Sequence, residues 1–385
     1  MRLASRIRRA LMRLSLPNRL LQATNVKLSV ATRKGLFELS SRSGDKWNVD
    51  AVHFVGDPVT AAVHDPANGR SIAALRMGHF GVKLRLSNDH GKSWEEVASP
   101  TYPPKPEGIE DSNPWTLDQV WIFEGFHPKQ PQCLWAGTNP GGLFRSDDGG
   151  RSWSLIESLW NMPERKQWMG GGYDIPGIHS ICVHPDDLDD IVVGVSCGGA
   201  WRTRDGGKTW TVGQGMRATF MPPEGQLNPV IQDPHRIVQC EAHPDVLWTQ
   251  HHCGIWKSTD RGANWIEVTT ARPSSFGFAV AAHPRDADSA WFMPLVSDEK
   301  RVPVNGGVIA TRTRDGGASF DVLQAGLPQR NAYDVVYRHG LDIAEDGAHL
   351  VAGSTTGSLW VSADSGESWQ TVGVNLPPIY ATRFV

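Results

Sequence analysis

The chain has 385 residues, of which 39% are hydrophobic, with 40 glycines, 26 prolines, 16 tryptophans and a formal net charge of −3. That near-neutral balance argues against a globally basic nucleic-acid binder, and no run approaches the ~20 apolar residues of a spanning helix, so no integral membrane segment is expected. Five cysteines (Cys133, Cys182, Cys197, Cys240, Cys253) form an odd set without C-x-x-C spacing, which disfavours a disulfide framework or a zinc knuckle and points to a cytoplasmic rather than a secreted protein.

Residues 1–24 carry six arginines and no acid. Arg13 and Arg19 interrupt the apolar core that a secretory signal needs, so this segment reads as a basic extension, either disordered or a short helix. From residue 25 to 385 a single domain is expected. It opens with "VKLSVATRKGLFELSSRSGDKW" (26–47), three strands in a row, the last two joined by a worn copy of a turn that then recurs. The full pattern, S/T-x-D-x-G-x-x-W/F, occurs as "SNDHGKSW" (87–94), "SDDGGRSW" (146–153), "TRDGGKTW" (203–210), "STDRGANW" (258–265), "TRDGGASF" (313–320) and "SADSGESW" (362–369). Start-to-start spacings, counted from the worn copy at 40, are 47, 59, 57, 55, 55 and 49 residues. Each copy suits a hairpin, because the Asp and Ser/Thr side chains bond turn amides, the glycine takes a backbone conformation closed to other residues, and the aromatic residue starts the returning strand.

Upstream of most copies lies apolar alternation ending in His-Pro, at His127, His184, His243 and His283, with His64 in the variant "AVHDP". One repeat therefore reads as four strands, A to D, with the aspartate turn between C and D. Seven such units of about 50 residues predict an all-β, seven-bladed β-propeller of four-stranded antiparallel blades. The N-terminus supplies B, C and D of the first blade, and "IYATRFV" (379–385) supplies a lone A strand to complete it.

These repeats resemble the Asp-box, or bacterial neuraminidase repeat, family, which includes sialidases, xyloglucanases, the sortilin luminal domain and a photosystem II assembly factor. The resemblance spans roughly residues 26 to 385 and implies that Asp89, Asp148, Asp205, Asp260, Asp315 and Asp364 are structural, on the face away from the ligand. A sialidase would need an arginine triad, a tyrosine nucleophile and an Arg-Ile-Pro element in the first blade. Arg33 is in that blade but within "ATRKG", and "RVP" at 301–303 falls in another. A xyloglucanase-like site would use two carboxylates, for which Glu110, Asp118, Asp174 and Asp233 are available, although those enzymes usually pair two propellers.

With the aspartate turns facing down, the B–C and D–A connections face up, and residues 98–118, 156–178, 213–235 and 294–307 are longer than strand connection requires. Of 14 histidines, His179, His235, His251 and His252 fall in or beside upper connections of blades four and five without being explained by the repeat, as do Asp174 and Asp233. These six are the candidate catalytic residues, their side chains being those needed for acid/base chemistry or for a divalent metal, with His179, His235 and His251 the candidate ligands. Their bland alternative is hydrogen bonding to carbonyls and water beside a channel. Arg33, Asp118, Asp298, Arg301, Gln329 and Tyr333 are candidate ligand-binding residues at the same mouth, and Trp115, Trp168 and Tyr173 could stack on sugar rings or pin loops. The reading that follows is a sialidase- or glycosyl-hydrolase-like propeller, leaning towards a hydrolase, that acts on or binds a carbohydrate or other small polar ligand at its upper mouth. The alternative is a non-catalytic scaffold for a protein partner.

Overall fold

In the computed structural model, residues 26–42, 46–170, 174–373 and 375–385 are described; the basic extension over 1–24 lies outside them. The described residues form 28 strands in seven antiparallel sheets of four, with very little helix. The innermost strands, in blade order, are Ile379–Phe384, Val59–Asp65, Gln119–Gly125, Ile178–Val183, Pro234–Cys240, Gly277–Ala282 and Leu341–Ile343. Ile379–Phe384 is followed outward by the first three strands of the chain, and each of the other six by the next three.

The ring closes as the repeat predicts. Ile379–Phe384 pairs antiparallel with Val26–Thr32, Leu28 standing opposite Phe384 and Ala31 opposite Ala381. The Val385 amide donates to the Lys27 carbonyl at 3.1 Å and the Arg33 amide to the Pro378 carbonyl at 2.9 Å. Between blades, alternate strand residues from facing sheets form the core. Trp248, Trp256, Trp291 and Trp360 are wholly enclosed there, each a side chain whose truncation to alanine costs roughly 3–5 kcal/mol.

At the lower face the repeated turn builds one hydrogen-bond pattern six times. In the third blade the Ser146 hydroxyl donates to Asp148 Oδ1 (2.8 Å) and accepts the Gly150 amide (2.8 Å), while Asp148 accepts the Ser152 amide (2.9 Å) and hydroxyl (2.6 Å). The same bonds recur around Asp89, Asp205, Asp315 and Asp364, and around Asp260 with the Asn264 side-chain amide in place of the hydroxyl. Bonds from Ser93 and Ser319 are the largest influence on Asp89 and Asp315, holding both carboxyls down at about 2. The His-Pro histidines serve the neighbouring turns: Nδ1 of His184 accepts the amides of Asp186 and Asp187, and Nδ1 of His283 those of Arg285 and Asp286.

One departure from regular pleating decides what the channel mouth contains. Six of the seven innermost strands carry a β-bulge close to their start, where one extra residue interrupts the register. The interrupting residues are Tyr380, Thr60, Trp121, His179 and His235 in blades one to five, and the Phe278–Ala279 pair in blade six. A bulge bends its strand and re-aims a side chain.

Lower down, long side chains cross the channel. His339 Nε2 of blade seven donates to the His179 carbonyl of blade four (2.7 Å), Arg236 of blade five to the same carbonyl (3.0 Å), and Arg383 of blade one to the Phe123 carbonyl of blade three (3.0 Å). The channel is thereby divided into an upper cavity of about 540 Å³ and a lower one of about 370 Å³, with Trp121 and His339 bordering both.

Removing residues 379–385 should abolish cooperative thermal unfolding rather than lower the melting temperature slightly, because it strips one blade of its inner strand and opens the ring; a scan with an intact, sharp transition would refute closure. Asp260→Ala should cost roughly 1–2 kcal/mol by chemical denaturation, through loss of turn hydrogen bonds. Because the turn carboxyls sit below the ordinary value near 4, their stabilisation is fully present above about pH 4 and is lost as the pH falls towards 2. Acid titration of the wild type and Asp260→Ala should therefore converge in that window.

Candidate functional site

The upper cavity is built from strand starts and the connections above them. Arg33, Arg76, Arg301 and Arg338 line it together with Trp121, Phe278, Tyr337 and Tyr380, and Asp118 is its one carboxylate among the described lining residues. Arg76 donates to Asp118 at 2.8 Å. Arg301 is gripped by Asp298 at 2.5 Å and lies 5.4 Å above the Phe278 ring. The buried Arg338 stands between two aromatic faces, 4.9 Å from Trp121 and 5.5 Å from Phe278. Guanidinium groups held over rings keep their charge while shedding little hydration, which suits them to a recessed anion site.

Beside this cavity, behind Phe278, three of the expected histidine and aspartate side chains converge. Asp233 Oδ2 lies 3.4 Å from His235 Nε2 and 3.4 Å from His252 Nδ1, and His252 Nε2 lies 3.3 Å from Asp298 Oδ2. The other Asp233 oxygen accepts the Cys197 amide (3.1 Å) and the Ser196 hydroxyl (3.3 Å). His235 Nδ1 donates to the Gly277 carbonyl (2.7 Å), and its ring stacks on Phe278 at 4.5 Å. Burial would raise the Asp233 carboxyl, but His235 and His252, when protonated towards it, and the Arg338 charge hold it well below the usual range. Burial pushes His235 down, against the pull of Asp233.

The other two histidines do not join them. His251 is enclosed: its Nε2 lies 3.0 Å from the Asp233 amide and its Nδ1 3.0 Å from the Cys253 amide, of which the neutral ring accepts one, and burial pushes it down to about 3. It fixes the Asp233 loop from behind. His179 bonds the Ser180 hydroxyl through Nδ1 at 2.9 Å and packs edge-on to Trp121, while its carbonyl receives His339 and Arg236. The expected ligand trio His179, His235 and His251 is thus not the trio whose atoms meet; those belong to Asp233, His235 and His252. Asp174 is exposed on its loop, and Tyr173 lies outside the described residues.

Of the expected ligand-binding residues, Arg33, Asp118 and Arg301 line the cavity, with Asp298 tied to Arg301 at its edge. The tryptophans pin loops. Trp115 donates to the enclosed Asp111 at 2.8 Å, Arg165 pairs with the same carboxylate at 2.5 Å and stacks on Trp160 at 3.8 Å, locking the loops 98–118 and 156–178 together. Trp168 is buried against Trp201. Gln329 donates to loop carbonyls such as that of Val308, and Tyr333 projects to solvent away from the lining. Arg76, Phe278, Tyr337, Arg338 and Tyr380 were missed by the sequence reading. Phe278, Tyr337, Arg338 and Tyr380 share position at or just before an innermost strand, while Arg76 ends the second strand of its blade, and the bulge residue precedes the His-Pro histidine by a distance that drifts from blade to blade, from four residues at Thr60 to eight at His235.

No family model matches the chain. The photosystem II assembly lipoprotein Ycf48 of a Synechococcus species is 23% identical over 379 residues, covering 96% of this chain and 93% of that protein. A probable oligoxyloglucan-reducing end-specific xyloglucanase of Neosartorya fischeri is 24% identical over 349 residues, 83% of this chain but 38% of the enzyme. Among solved structures, the GH74 xyloglucanase of Xanthomonas campestris aligns with a TM-score of 0.60 at 17% identity, over 90% of this chain and 52% of that one. Ycf48 bound to D1 peptide aligns at 0.50 and 13% identity, over 89% and 94%. The chain is a seven-bladed β-propeller similar to both. It spans about half the length of that xyloglucanase structure and nearly the whole of Ycf48, and at these identities the structural likeness carries the fold alone.

His251→Ala should lower stability by roughly 2–4 kcal/mol, since it opens a cavity and strips one of the two facing amides, Asp233 or Cys253, of its acceptor. Thermal and urea unfolding of the variant measure this, and an unchanged midpoint would show that the ring is not a structural wedge.

Proposed function

We propose that the protein is an Asp-box propeller that binds a small carboxylate-bearing ligand at its upper mouth, as a recognition module rather than a two-carboxylate glycosidase. The observation that carries this reading is the four arginines facing one cavity in which Asp118 is the single lining carboxylate. In a chain of net charge −3, that concentration of positive charge in a recess is specific to the site. Arginine forks match a carboxylate in two-point fashion, and Trp121, Phe278 and Tyr337 offer faces for the apolar side of a sugar ring or a peptide terminus.

A retaining or inverting glycosidase needs two carboxyls flanking one bond, about 5–10 Å apart. Here Asp118 is neutralised by Arg76, Asp233 is enclosed behind His252, and Asp174 is exposed without lining the cavity. Similarity to xyloglucanases supports the glycosidase alternative. Similarity over nearly the full length of Ycf48 supports the recognition reading.

The test is calorimetric titration of two probes, glucuronate and a tripeptide with a free C-terminus, against their uncharged counterparts, glucose and the C-terminally amidated peptide. A carboxylate-bearing probe should bind, its affinity should fall with added salt, and Arg33→Ala and Arg301→Ala, both at exposed positions, should each weaken it roughly 10- to 100-fold. Equal affinity for charged and uncharged probes, or full affinity in the double variant, would overturn the reading.

A further inference from the structure

We propose that Asp233, His235 and His252 form a binding site for one divalent transition-metal ion, zinc-like in its preference for two imidazoles and a carboxylate, set in the wall of the upper mouth. The inference stands on a count of hydrogen-bond donors and does not depend on the nature of the ligand in the cavity. His235 Nδ1 faces the Gly277 carbonyl at 2.7 Å. A carbonyl oxygen can only accept, so Nδ1 carries the proton and Nε2 of the neutral ring presents a bare lone pair. That lone pair points at Asp233 Oδ2, another pure acceptor, 3.4 Å away.

His252 repeats the problem. Both its nitrogens face carboxylates, Asp233 at 3.4 Å and Asp298 at 3.3 Å, yet a neutral imidazole has one proton to give. Placing that proton on Nε2, towards Asp298, leaves Nδ1 as a second lone pair aimed at Asp233 Oδ2. Three acceptor atoms, two nitrogens and one oxygen, then converge within 4.8 Å of one another. A cation among them resolves the conflict.

Distance decides which cation. Imidazolium–carboxylate hydrogen bonds close to about 2.7–2.9 Å, and both contacts to Asp233 are held well beyond that. Ligand atoms bonded tetrahedrally at ~2.0–2.1 Å are about 3.3–3.4 Å apart, which is the spacing of each histidine nitrogen from Asp233 Oδ2, and the two nitrogens lie within 4.8 Å of one another.

The surrounding bonds have the form that a metal site requires. The second ring nitrogen of His235 is bonded to the Gly277 carbonyl, which sets its tautomer and aims its lone pair, and that of His252 faces Asp298 Oδ2 at 3.3 Å. Asp233 is held by the Cys197 amide and Ser196 hydroxyl on its other oxygen, so the converging oxygen is left for the ion. Three protein ligands leave a fourth position for water or a ligand atom. His252 is partly exposed, and Phe278, stacked on His235, lines the cavity where Arg301 stands.

The experiment uses the full-length protein stripped with chelator and titrated with Zn²⁺ by calorimetry, with melting temperature read in parallel and Co²⁺ absorption as a probe of geometry. The wild type should bind one equivalent, melt higher with zinc, and give the intense visible bands of a tetrahedral cobalt site. His252→Ala, at a half-buried position that the fold tolerates, should lose roughly 100-fold in affinity and its zinc-dependent rise in melting temperature. Asp298→Ala should lose about 10-fold, as expected when an outer partner of a ligand is removed. His179→Ala should bind zinc like the wild type. Absence of saturable zinc binding in the wild type, or equal affinity in His252→Ala, would overturn the site. So would nitrogen NMR in the presence of zinc showing both nitrogens of His252 protonated, since an imidazolium cannot be a ligand.

Discussion

Everything in this molecule depends on one pairing between the two ends of the chain. A ring of sheets that does not close exposes an inner strand edge and a slice of inter-blade core to water, and both are costly. Ile379–Phe384 docked on Val26–Thr32 removes that edge, so residues 379–384 hold the first blade together. Closure also sets the channel radius. It is narrow enough for His339, Arg236 and Arg383 to reach backbone carbonyls on blades other than their own, so the inner wall is braced from within and the upper cavity acquires a floor.

Within that closed ring, function is delegated to a repeated irregularity. An innermost strand pleated without interruption would direct alternate side chains up and down the channel wall in a uniform way. The bulge near the start of six of these strands breaks the pleat and re-aims a side chain, and its chemistry differs from blade to blade: Tyr380, Thr60, Trp121 and Phe278 line the upper cavity, whereas His179 and His235 are buried beside it. The backbone device is constant and the side chain varies, so one scaffold can hold a histidine pair on one side and aromatic walls on the other.

The two faces therefore divide the labour. Below, the aspartate turns spend their polar groups on their own hairpins, each carboxylate saturated by amides and hydroxyls within a few residues. Above, several charged groups meet partners from other connections: Arg76 meets Asp118, and His252 meets both Asp233 and Asp298. Groups whose partners are distant in sequence are free to differ between proteins that share the turns. Similarity to an enzyme and to an assembly factor at comparable identity is consistent with that division.

The sequence by itself determined the architecture: seven blades, the aspartate turn at six of the C–D hairpins, closure by residues 379–385, and the structural standing of the six turn aspartates. All of these are local rules repeated at a near-constant interval, and repetition makes a short-range pattern legible. It also singled out Asp233, His235 and His252 as residues that the repeat does not explain. Only the tertiary structure decided that His252 faces Asp233 while its neighbour His251 turns back to two amides, because adjacent residues across a tight B–C turn point opposite ways and spacing carries no record of which is which. Likewise Arg338, Arg76 and Phe278 reach one cavity from three blades. A bulge shifts register by one residue without leaving a mark in composition, and the channel that gathers these side chains exists only when the ring is shut.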